Sequence, residues 1–166
     1  MLNPKILCFF LMSLNLFAQD LVLDLSQVSN TEEISLRIQD GESLAIRDKV
    51  SGWRGYRPTK NLDPNRPFYY MYFDVTSPNW ISGASPYILL SVQLIASESG
   101  QITIEYDSFD ANFRGPGEPG VWKPTESISF SLSPQIQVFR FALPLANFNN
   151  RCNGADFRLT FNGRAP

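Results

Sequence analysis

Three stretches of the chain carry the residue types that recognise polar ligands. The first is Asp48-Lys-Val-Ser-Gly-Trp-Arg-Gly-Tyr-Arg-Pro-Thr59. Trp53 and Tyr56 offer flat faces on which a sugar ring can stack, and Arg54 and Arg57 offer paired donors for hydroxyls or carboxylates. The competing reading puts Trp53 as a plug at the end of the core, with both arginines solvated. The second stretch is Phe109-Asp-Ala-Asn-Phe-Arg-Gly-Pro-Gly-Glu-Pro-Gly-Val-Trp-Lys123, in which Trp122 is either a stacking platform or a core cap. The third runs over residues 147–156, where Asn149, Asn150, Arg151, Asn153 and Asp156 crowd together. Asn150 and Arg151 can rim a ligand site. Alternatively the loop is a latch whose polar groups satisfy one another and its own backbone, with Arg151 paired to Asp156.

Catalytic chemistry finds less support. The chain has no histidine, which removes Ser-His-Asp and Cys-His hydrolases, His-rich catalytic zinc sites and the usual neutral-pH base. A glycosidase needs two carboxylates across a cleft. Asp74, Glu105, Asp107 and Asp156 are candidates, but Glu105 and Asp107 sit two apart and read as the polar face of one strand. Asp24, Asp107 and Asp110 could ligate Ca²⁺ through oxygen, although no EF-hand-like spacing accompanies them. Tyr56 with Arg54 or Arg57 could act in a polysaccharide lyase, as base and charge stabiliser. The reading preferred here is a non-catalytic one.

These loops must be held by strands. Alternation recurs at residues 21–25, 34–38, 44–46, 68–75, 87–95, 102–106, 128–132, 138–143 and 157–161. Its period of two puts one side of each strand in a core and the other in water. Gln39-Asp-Gly-Glu42 reads as a turn, and residues 48–67 and 108–124 read as long loops. No helical period persists for three turns. The pattern implies an all-β domain, an antiparallel β-sandwich or jelly roll.

The first eighteen residues read as a separate unit, a secretory signal peptide; the competing reading is a buried N-terminal strand or a membrane anchor. Lys5 precedes an apolar run over residues 6–16, and Ala18 supplies a small residue before Gln19 and Asp20. Cleavage after Ala18 leaves one domain over residues 19–166, exported to the exterior or the cell surface, with Cys152 as its lone thiol and so without an intramolecular disulfide. Lys5-Ile-Leu-Cys8 is a poor lipobox. The whole chain has 14 basic and 16 acidic residues. No basic cluster marks a nucleic-acid partner, and no second apolar run is long enough for a membrane span.

Tyr72-Phe-Asp-Val75, residues 87–96, Gly100-Gln-Ile-Thr-Ile-Glu-Tyr-Asp107, residues 139–143 and Phe148-Asn-Asn-Arg-Cys-Asn-Gly-Ala-Asp-Phe-Arg158 together resemble the galactose-binding-like β-sandwich modules of secreted bacterial proteins. The resemblance covers roughly residues 70–161. It implies a jelly-roll fold and carbohydrate as the default partner. It also implies a structural calcium as an option, and a linked glycoside hydrolase or surface-anchoring domain. It implies no catalytic residues. Cys152 departs from the pattern where a polar residue is expected. Modules of this kind can add one more C-terminal strand; either the sequence is a fragment that lacks it, or the segment over residues 21–25 takes its place.

Overall fold

A computed structural model describes residues 6–12, 34–39, 44–50, 52–58, 68–85 and 87–162. The expected strand at residues 21–25, the cleavage site at Ala18, Asp24 and the far part of the 48–67 loop lie outside the described residues. Among the described residues there is no helix, and every named strand pairing is antiparallel.

The strands are β1 (Ile6–Met12), β2 (Ile34–Arg37), β3 (Ala45–Val50), β4 (Trp53–Pro58), β5 (Phe68–Val75), β6 (Tyr87–Ala96), β7 (Gly100–Tyr106), β8 (Lys123–Pro124), β9 (Ile128–Phe130), β10 (Ser133–Pro144) and β11 (Phe157–Asn162). One sheet has the order β10-β6-β1-β4-β3. The other runs β2-β5-β11-β7-β8, with β9 also pairing β7. Both sheets contribute to a single apolar core. Ile88, Leu90, Val92 and Leu94 of β6 enter it, as do Met71 and Phe73 of β5, Ile102 and Ile104 of β7, and Phe157 and Leu159 of β11. Phe73 stacks on Phe157 with ring centroids 5.0 Å apart, an offset contact of the kind aromatic cores favour.

β5 is apolar on both faces because its second face also finds cover. Tyr70 and Tyr72 form a smaller buried cluster with Ala155, against which Phe68 and Trp122 pack. The alternation at residues 87–96, 100–106 and 157–162 translates directly into β6, β7 and β11. Two expectations do not. Residues 48–58 are not loop: β3 and β4 form a hairpin in register from Ala45↔Pro58 to Val50↔Trp53, with Gly52 at φ 87° in its turn. Charged side chains occupy much of the face that alternation would fill with apolar ones, so the strand pattern is hidden. And Ile6–Met12, expected within the leader, pairs along all seven residues with β6 and touches β4 at Cys8↔Tyr56. An apolar run of this length serves a central strand as well as a leader.

Candidate functional site

The loop over residues 147–156 is built around two buried carboxylates. Asp107, at the end of β7, is fully buried. Its Oδ2 accepts from the backbone N–H groups of Asn149 at 2.9 Å and Arg151 at 3.3 Å, and its Oδ1 accepts from Arg151 Nε at 3.0 Å and Nη2 at 2.6 Å. Arg151 Nη2 also donates to the Ser108 carbonyl at 2.6 Å, and Nη1 reaches the exposed Glu118 at 3.3 Å. The hydrogen bond to Asp107 raises the Arg151 pKa, so the guanidinium stays charged. The expected Arg151–Asp156 pair therefore does not form. Asp156 instead accepts from two backbone amides, Val75 N at 2.7 Å and Asn150 N at 2.7 Å. Leu145, Phe148, Asn150 and Asn153 all have positive φ, a backbone that is costly for Leu and Phe and that these carboxylates hold in place. Arg151, Asp107 and Asp156 are thus already engaged within the fold.

Asp156 carries a pH dependence. Burial pushes its carboxyl up to about 6, with the Asp74 and Asp107 charges adding to the rise and the two amides opposing it. The folded chain thus holds a proton that the unfolded chain has lost over the window between about 4 and about 6. That contribution to stability is complete below about 4 and disappears as pH rises through about 6. Denaturant unfolding is expected to show about 1 kcal/mol more stability from this group at pH 5 than at pH 7. The gain is expected to vanish in Asp156→Asn. A wild-type chain no more stable at pH 5, or a variant that keeps the gain, would count against this assignment.

On the outer face of the second sheet, Arg158 lies between Tyr70, 3.9 Å from its ring centre, and Trp122, 4.0 Å away. Its Nε donates to Glu105 at 2.7 Å and its Nη1 to the Tyr72 hydroxyl at 2.6 Å. Burial works against the charge, but the Glu105 carboxylate and Tyr72 outweigh it and raise the Arg158 pKa. Trp122 also meets Tyr72 edge-on at 6.0 Å. Trp122 is thus the cap of a cation–π stack, and its ring is not a bare platform. Of the remaining carboxylate candidates, Asp110 pairs with Lys123 at 2.7 Å, and Asp74 accepts from Arg37 at 2.7 Å through Oδ2 while its buried Oδ1 has no hydrogen-bond partner among the described residues. Among the described residues no group of three Asp, Glu, Cys or His side chains is placed to hold a metal ion. Cys152 is buried, and burial pushes its thiol up to about 12, far from a reactive thiolate.

The β3–β4 hairpin is different. Ala45, Tyr56 and Pro58 are buried on its inward face, and Ala45 and Tyr56 belong to the core. Further along the same face the core ends, and Arg47, Lys49 and Arg54 are exposed. With Asp48 they line a cleft of about 430 Å³. On the opposite face Arg57 donates to Asp48 at 2.7 Å. Of the four residues singled out here from sequence, Arg54 lines the cleft, Arg57 is bound to Asp48, Tyr56 is in the core, and the Trp53 side chain lies outside the described residues. Arg47 and Lys49, not singled out from sequence, join Arg54. The signal available for them was alternation, since Arg47 and Lys49 share a face with Ala45.

A second cleft of about 340 Å³ opens between β8 and β10, lined by Tyr106, Lys123, Ile128, Arg140 and Phe141 among others. The Tyr106 hydroxyl is committed to the Pro144 carbonyl at 2.9 Å and Lys123 to Asp110, so fewer of its polar groups are free for a ligand. No family model, curated protein or solved structure matches the chain.

Proposed function

We propose that the chain is a non-catalytic carbohydrate-binding module in which the two sheets, β1 included, form a jelly-roll sandwich. The observation that carries this reading is the β3–β4 cleft. It is open, polar and set on a paired hairpin, within the range of roughly 300–1,000 Å³ typical of small-ligand sites, and Trp53 lies in the same hairpin. Guanidinium and ammonium donors suit the hydroxyls and carboxylates that a sugar presents at its edge. A lyase role for Tyr56 is disfavoured by its burial in the core, away from any substrate in the cleft. Trp122, Asn150 and Arg151 serve the architecture in this reading.

The test is affinity electrophoresis and glycan-array binding with neutral and acidic polysaccharides. Retention on at least one glycan is expected, weakened by Arg54→Ala without a fall in the unfolding midpoint. Absence of retention on every glycan would overturn the reading in favour of a structural or adhesive module.

A further inference from the structure

Lys49 and Arg54 are direct cross-strand partners in the β3–β4 hairpin. Directly opposed residues on one face have Cβ atoms about 5 Å apart, and like charges there repel. Both side chains are exposed, and among the described residues neither has a hydrogen-bonding or ion-pair partner for its charged end. Asp48, the carboxylate among the described residues that line the cleft, accepts from Arg57 through Oδ2 and from the Lys49 backbone N–H through Oδ1, both at 2.7 Å. Among the described residues, the hairpin thus sets two cations without a counter-charge against each other on one wall of a cleft, with Arg47 beside them. This is the arrangement an anion resolves: one carboxylate or sulfate placed between the two heads takes a forked pair of hydrogen bonds from the guanidinium and a point contact from the ammonium.

We infer that the cleft takes an acidic glycan, a polymer bearing uronate carboxylates or sulfate esters, with Lys49 and Arg54 closing on one anionic group per site. The inference rests on the carbohydrate-binding reading and specifies the ligand class. A nucleic acid is a poorer fit. It presents a dense line of phosphates and needs a basic track, whereas this cleft presents the pair Lys49 and Arg54 on a chain of net charge −2.

The experiment uses the full chain in affinity gels containing de-esterified polygalacturonate, the same polymer fully methyl-esterified, or polyglutamate. Retention on the acid polymer alone is expected, falling as salt is raised toward 0.5 M because the contacts are exposed. Lys49→Ala and Arg54→Ala are each expected to weaken it about tenfold, the loss of one charge-assisted contact. Both variants are expected to unfold at or slightly above the wild-type midpoint, since each removes the repulsion. Equal retention on acid and ester would overturn the inference while leaving the carbohydrate reading intact. Equal retention on polyglutamate would overturn it in favour of general polyanion binding. Retention on neither uronate polymer, or undiminished retention in both variants, would overturn it as well.

Discussion

Asp107→Ala is expected to cost about 3–5 kcal/mol of folding stability, the range seen when one partner of a buried ion pair is removed. The residue is fully buried and accepts from two backbone amides of the 147–156 loop as well as from two nitrogens of Arg151. Its removal leaves those donors facing an apolar methyl and strands a guanidinium whose other contacts are the Ser108 and Pro119 carbonyls and the exposed Glu118. Arg151→Ala is expected to cost less, about 1–3 kcal/mol, because Asp107 keeps both amide donors. Denaturant unfolding of the two single variants and the double variant measures the difference. If Asp107→Ala proved no more costly than Arg151→Ala, the latch would not be organised around the carboxylate.

Gly120→Ala is expected to be comparably damaging, at about 3–5 kcal/mol from clash and backbone strain together. Gly120 has φ +82°, and a Cβ there would lie 2.1 Å from the Ser108 carbonyl oxygen. That oxygen cannot yield easily, because the two segments are hydrogen-bonded: the Gly120 carbonyl accepts from Ser108 N at 3.0 Å and from Ser108 Oγ at 2.9 Å. Gly117, three residues earlier with φ +92°, has nothing within 4 Å of the same position. Gly117→Ala is therefore expected to cost only about 1 kcal/mol. In a thermal melt Gly120→Ala should fall by roughly 10 °C and Gly117→Ala by a few degrees. Similar losses in both would mean that left-handed strain alone, and not the approach of the Ser108 backbone, sets the cost.

The sequence is most readable where one face of a strand meets the core and the other meets water. Ile88, Leu90, Val92 and Leu94 announce β6, and Ile102, Ile104 and Tyr106 announce β7, because burial and alternation coincide there. It is least readable where the core stops before the strand does. Arg47, Lys49 and Arg54 stand on the inward face of β3 and β4 beyond the apolar filling, so their spacing looks like a loop although their backbone is paired. The latch was visible as a crowd of polar residues, but its wiring was not. Asp156, five residues from Arg151, looked like its partner, whereas the actual partner, Asp107, is 44 residues away. Asp156 is drawn off by amides of Val75 and Asn150, and backbone donors leave no trace in side-chain identity.

Strand β1 sits at the middle of its sheet, and its long partnership is with β6, which ends at Ala96. The chain is made from its N-terminus, so Ile6–Met12 leaves the ribosome long before that partner exists. At about 5–20 residues per second, the roughly eighty intervening residues take on the order of 5–15 s. Throughout that interval the long pairing of Ile6–Met12 with β6 cannot form. Its hold on the finished sheet, however strong, cannot act during synthesis.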